Sequence, residues 1–219
     1  AGSVGKPRVQ SFHLTMSGMF ARNRKNPEQR IHYSAEQYSF LDSRTRLFFM
    51  RASLFGIPMG GLHVFTPADG ASMRIKVASL FQVVDAHGEK MNQGETVTYL
   101  NDMCILAPAS LVDPNIQWEE LDAHHVKATF AKDGVTVSAV LTFDEAGDLI
   151  DFYSDDRFYN DDGVTYLSYR WKTPITEYRT LPDGRRIASR GSAIWETPEG
   201  DFEYITLNLS DVDYNMTSR

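Results

Sequence analysis

Along most of the chain, apolar and polar residues alternate with a period of two, the spacing of a strand buried on one face. In residues 9–20, Phe12, Leu14 and Met16 take one side and Ser11, His13 and Thr15 the other, as far as Gly18. Residues 31–36 alternate in the same way, so the two runs predict a long hairpin across the basic loop 22–27, in which His13 and His32 could meet. Residues 45–55 are different. Leu47, Phe49 and Phe55 fall on one face and Phe48, Met50, Ala52 and Leu54 on the other, which predicts a strand covered on both faces. Gly56, Pro58, Gly60 and Gly61 read as the turn that follows. Short strands are expected at 62–65, 73–77 and 80–85, and again at 116–121, 126–131, 135–143, 149–153, 164–171, 175–181, 185–195 and 202–209. Turn signals such as Lys132-Asp133-Gly134 and Pro182-Asp183-Gly184 separate them.

One stretch breaks the alternation. Thr96, Leu100, Met103 and Leu106 recur at spacings of four, three and three, and Val97, Leu100 and Cys104 fill a neighbouring stripe, the pattern of a helix with a broad apolar face. Asn92 or Gly94 is the expected start, with Glu95 in the first turn where a carboxylate favours the positive end of the backbone dipole. Pro108 ends this helix, since it has no amide donor, and opens a second short turn. The helical insert is therefore placed at residues 94–111. More than ten strands cannot stay flat, because twist makes a sheet of that size curl, split or close. The expected fold is mostly β, a single domain spanning residues 1–219. It is a large curved antiparallel sheet, a half-barrel built as a β-meander, with the helix in its mouth or concave face.

Composition narrows the function classes. A formal net charge of −7 argues against a nucleic-acid surface. The runs Arg22, Arg24, Lys25 and Arg185, Arg186, Arg190 read as solvated turn and strand faces. A single cysteine, Cys104, excludes an intrachain disulfide and a cysteine-rich zinc site; its neighbours Met103, Ile105 and Leu106 mark it as a small buried hydrophobe. No run approaches the roughly 20 apolar residues of a membrane span, and no signal-peptide pattern is present. Ala1, Gly2 and Ser3 read as a cut end, with removal of an upstream anchor or leader an open alternative, so the chain is expected to be soluble as given and its localisation is left unassigned.

Candidate chemistry is sparse. Asp151, Asp155, Asp156, Asp161 and Asp162 gather oxygen ligands of the kind calcium takes, but without the spacing of an EF-hand loop. The expectation is a hairpin in which Asp155 or Asp156 pairs with Arg157; Asp155 and Asp156 are kept as a weak metal alternative. His124 and His125 are adjacent in a strand and point to opposite faces. There is no nucleophile elbow, phosphate-binding glycine loop or HExxH, and no cofactor motif, so no catalytic residue is assigned.

The run Tyr99-Leu100-Asn101-Asp102-Met103-Cys104-Ile105-Leu106-Ala107-Pro108-Ala109-Ser110-Leu111, followed by Ile116-Gln117-Trp118-Glu119, Phe143 with Gly147, Ser154-Asp155-Asp156-Arg157 and a late Gly184 and Trp195, resembles an uncharacterised bacterial family known only as a domain of unknown function. The resemblance covers most of the chain from Val4 onward. Many members have Trp-x-Pro after the Tyr-Leu pair, whereas Cys104 to Pro108 stands here, which implies a divergent branch. The family carries no established activity; by analogy, the expected curved sheet is like that of bacterial lipoprotein carriers.

The remaining signal is the supply of Phe and Met in the first half. A concave sheet that one helix only partly fills leaves an apolar cleft. The expected role is noncatalytic binding of an apolar or amphipathic small molecule, with Tyr99 at the rim and Met103, Phe49, Met50 and Trp118 as further contacts. The alternatives are a structural or protein-interaction domain and, third, a carboxylate-based hydrolase. An exposed apolar patch would favour the former and converging carboxylates the latter.

Overall fold

The computed structural model describes residues 9–21, 23–160 and 165–216. The strands β1 (Ser11–Ala21), β2 (Arg30–Phe40), β3 (Thr45–Leu54), β4 (Ile57–Thr66), β5 (Gly70–Val77) and β6 (Phe81–His87) form a meander, each pairing with the next. The helix α1 (Glu89–Leu106) and a 3-10 turn, Pro108–Leu111, lead into a second meander. It comprises β7 (Ile116–Glu120), β8 (His125–Lys132), β9 (Val135–Phe143) and β10 (Leu149–Ser154). A small ribbon of β11 (Phe158–Tyr159) and β12 (Leu167–Ser168) follows. The chain ends in β13 (Arg170–Lys172), β14 (Ile175–Thr180), β15 (Arg186–Thr197) and β16 (Gly200–Tyr214).

In space the order is β6-β5-β4-β3-β2-β1-β16-β15-β13-β10-β9-β8-β7, with β14 attached to β15: one 14-stranded antiparallel sheet that ends at β6 and β7 and does not close into a barrel. The connection through α1 joins these two outermost strands. Laid flat, the sheet would part them by roughly 57 Å at ~4.8 Å per strand, whereas an 18-residue helix is about 27 Å long. The sheet therefore curls around α1, which touches β5 and β6 from one half and β9, β10 and β15 from the other. The half-barrel expected from strand number is what forms.

Wrapping changes the character of the helix. Gly94 through Asn101, and then Met103, Cys104 and Leu106, are buried, polar residues included, so no clean apolar stripe survives. The helix also begins earlier than its periodicity indicates. Gly88, at φ 105°, turns the chain and Glu89 starts the helix. Its first turn exposes Glu89 and Lys90 and carries a single apolar residue, Met91, too few to show in a search for apolar spacing. Asn92 is not the cap: its side-chain oxygen accepts the Ala71 amide at 2.6 Å and ties α1 to β5.

Three further expectations are corrected. β3 packs on one face only. Phe48, Met50 and Ala52 turn inward, while Phe49 is 37% and Phe55 94% exposed, because α1 covers the inner face of the sheet and, among the described residues, no second layer covers the outer one. β4 starts at Ile57, so Pro58, Gly60 and Gly61 are strand residues and the turn is Phe55-Gly56. The two histidines do not meet: His13 lies opposite Tyr38, with ring centroids 4.4 Å apart, and His32 lies opposite Met19. β1 itself continues past Gly18. A Cβ there would fall 1.8 Å from the Thr206 carbonyl oxygen, the atom to which the Tyr33 hydroxyl donates at 2.9 Å as its ring crosses Gly18.

Candidate functional site

Glu95 and Asp102 are seven residues apart and so lie on one face of α1, two turns from each other. That face meets β2 and β3, where Gln37, Ser39 and Arg46 point inward. Arg46 joins both acids, donating from Nη1 to Glu95 at 3.0 Å and from Nε to Asp102 at 2.9 Å, while its Nη2 donates to Gln37 Oε1 at 2.9 Å. Gln37 donates in turn to Asp102 at 2.7 Å and to Ser39 at 3.0 Å. His63 Nδ1 stands 3.5 Å from Glu95. Burial alone would raise the Glu95 carboxyl, but Arg46, His63 and Arg157 hold it down at about 2. Burial keeps Asp102 above its ordinary value despite Arg46 and Gln37. For Arg46 burial works against the charge and the two carboxylates outweigh it, raising the pKa. This network fixes the rotation of α1 in the sheet.

Fixing that rotation presents Ile105 and Leu106 to β1, β15 and β16. Between them lies a cleft of about 110 Å³, walled by Leu14, Met16, Ile105, Ile175, Leu207 and Leu209. Three of its polar residues are already engaged. Asn101 donates to Thr173 Oγ1 at 2.7 Å, Asp102 is held as described, and Arg190 pairs with Glu177 at 2.9 Å. A second concavity of about 320 Å³ lies across β3, β4 and β5. Strand alternation and register put its side chains Phe49, Arg51, Leu62, Arg74 and Lys76 on the face turned away from α1.

The residues singled out by the sequence fall in four places. Tyr99 is not at a rim: it is 4% exposed, its ring stacks on Phe130, and its hydroxyl donates to the Leu41 carbonyl at 3.0 Å. Met103 is in the core. Phe49 and Met50 border the concavity across β3, β4 and β5. Trp118 is 44% exposed on the edge strand β7. Of these five, none lines the α1 cleft. Ile105 was available in principle, as an apolar position on α1 well round the helix from both Tyr99 and Met103.

The acidic segment is also rearranged. Asp155 takes a forked pair of hydrogen bonds from Arg170 at 2.9 and 3.0 Å, and Asp156 accepts the Ser138 amide at 2.6 Å and hydroxyl at 3.0 Å. Arg157 lies instead over the Trp171 ring, 4.2 Å from its centroid. The reason is β10–β13 pairing, which brings Arg170 beside Asp155 and leaves Arg157 facing the Trp171 and Trp195 rings. Asp161 and Asp162 lie outside the described residues. Among the described residues no three His, Cys, Asp or Glu side chains group as metal ligands do. The Cys104 thiol is pushed up by burial, the opposite of what a nucleophile needs.

Residues 1–207 match the model of a family described as a family of unknown function, DUF6544. The chain belongs to that family. No curated protein matches it. Among solved structures, a DUF1329 family protein from Desulfovibrio piger is similar at a TM-score of 0.51 and 12% identity, covering 96% of this chain and 88% of that one. A LolA superfamily protein from Nitrosomonas europaea is similar at 0.51 and 11% identity, with the same coverage. At such identities the likeness establishes the shared fold alone. This DUF6544 member thus shares its curved, helix-filled sheet with those two proteins. Among its described residues no helix is long and apolar enough to cross a membrane.

Proposed function

We propose that this DUF6544 protein binds an apolar or amphipathic small molecule, without catalysis, in the cleft between α1 and the inner face of the sheet. The observation that carries this reading is the composition of the cleft: apolar side chains form its walls, while Asn101, Asp102 and Arg190 are already held by Thr173, by Arg46 and Gln37, and by Glu177. A site of that kind gains affinity by removing apolar surface from water, at roughly 25 cal/mol per Å². Its volume of about 110 Å³ is below the roughly 300–1,000 Å³ of sites that hold a whole drug-sized ligand. It suits a segment of an alkyl chain, the rest of the molecule lying along the opening. The likeness in fold to a LolA superfamily protein is consistent with this reading and adds only the architecture.

Titration with an environment-sensitive apolar fluorophore, displaced by fatty acids of increasing length, tests the proposal. Ile105→Trp fills the cleft from the helix side and should abolish the signal while circular dichroism stays unchanged. Undiminished binding in that variant would place the ligand elsewhere. A hydrolase reading has no comparable support, since Asp151, Asp155 and Asp156 are each taken up by separate partners. An interaction surface does have a specific observation in its favour, the exposed apolar residues at the hairpin tips.

A further inference from the structure

Two turns of the first meander lie side by side at one end of the sheet, bound by the Ala78 amide donating to the Pro58 carbonyl at 2.7 Å. Together they expose large apolar side chains: Phe55 at 94%, Ile57 at 48%, Leu80 at 79% and Phe81 at 67%. Single exposed apolar residues are ordinary, but a contiguous set on projecting turns marks a contact surface. Phe55 strengthens the point. It takes φ 51° beside Gly56 at φ 79°, so a bulky residue occupies a left-handed position in a two-residue hairpin turn that favours Asn or Gly. No packing compensates it, because the ring is in water.

Charge selects the partner. The protein carries a net −7, yet from Thr45 to Val84 there are four cations, Arg46, Arg51, Arg74 and Lys76, and one acid, Asp69, in the turn at the opposite end. Arg46 is buried with its carboxylates; the other three line the concavity of about 320 Å³ on the outer face. Arg51, though 3.1 Å from Glu36, has a side chain 70% exposed. Asp85 stands opposite Arg74 in the register and is engaged by Gln82 at 2.9 Å. At ~3.3 Å per strand residue, Arg51 and Lys76 are set back from the tips by about 7 to 13 Å. Side chains of interfacial elements reach about 5 to 10 Å into the headgroup and acyl boundary. Cations at that setback meet the phosphate layer when the tips are immersed.

We infer that the paired β3–β4 and β5–β6 tips are a docking surface for an anionic lipid bilayer, with Phe55, Ile57, Leu80 and Phe81 entering the interface and Arg51, Arg74 and Lys76 holding phosphates. This surface is separate from the α1 cleft and stands or falls independently of it. Flotation with vesicles of phosphatidylcholine, alone or mixed with phosphatidylglycerol, is the test. The protein should float with the mixed vesicles and much less with phosphatidylcholine alone. Arg51→Ala with Lys76→Ala should weaken binding by about 25-fold, at about fivefold per cation. Phe55→Ser, Leu80→Ser and Phe81→Ser together should abolish it. All five positions are on the surface, and an unchanged melting temperature confirms the fold. Failure to float with the mixed vesicles, full binding by the triple variant, or tip-dependent dimers in lipid-free size-exclusion chromatography in place of flotation would each overturn the inference.

Discussion

Arg46 on β3 and Glu95 on α1 are joined at 3.0 Å with both side chains buried, and the same guanidinium also holds Asp102. One cation thus pins two turns of the central helix to the sheet. Removing it takes the shared cation from two acids, Glu95 fully buried and Asp102 at the edge of the cleft.

Arg46→Met should therefore destabilise the protein by about 3 to 5 kcal/mol, the cost of breaking a buried pair from one side. Adding Glu95→Gln and Asp102→Asn should return most of that loss, because a neutral buried cluster no longer carries an uncompensated charge. Urea unfolding of the single and triple variants measures both.

The pH dependence has two parts of opposite sign. Glu95 is held at about 2 in the folded state against an ordinary 4.5, so its contribution is complete above about 4.5 and is lost as pH falls toward 2. Asp102 is raised, so its protonation favours the folded state as pH falls. The stability difference between the wild type and Glu95→Gln should accordingly be flat above pH 5 and shrink below it. Repeating the comparison with Asp102→Asn removes the opposing titration and should steepen the fall.

Gly18→Ala should cost about 1 to 3 kcal/mol, the usual price of overpacking, since the added carbon meets the Thr206 carbonyl and the Tyr33 ring. Thermal unfolding should show it, and Tyr33→Phe should not rescue it because the backbone clash remains.

Phe55→Asn separates stability from docking. Asn accepts the left-handed position more readily than Phe, so the variant should be as stable as the wild type or up to about 1 kcal/mol more stable. The same variant should bind anionic vesicles less well. A loss of both would mean that Phe55 is serving the fold.

The architecture was legible because alternation by two survives in every strand that has one wet face; the run from Val135 to Phe143 is an example, with Val137, Ala139 and Leu141 buried. The start of α1 was not legible, since Met91 is the one apolar residue from Glu89 to Gln93 and Glu89 and Lys90 are exposed. β4 was shortened by Pro58, Gly60 and Gly61, residues that usually punctuate and here sit within a paired strand. The candidate site failed for a different reason. Tyr99 and Met103 read as pocket residues if α1 covers the sheet with one face, but the sheet wraps the helix, and those two point into the core beside Phe130 and its neighbours. A usable signal was present in Glu95 and Asp102, two acids seven residues apart on one face of α1, which once buried require a cation and so fix the face that meets β3. The cleft then follows as the side that carries Ile105.

The central claim is tested most directly by native mass spectrometry of gently purified protein, compared with Ile105→Trp prepared in the same way. The account predicts an adduct of the mass of an alkyl-chain molecule on the wild type, restored by added fatty acid after delipidation, and none on the variant. Wild-type protein that remains unliganded through a fatty-acid titration, or a variant that carries the same adduct, would contradict binding in the α1 cleft.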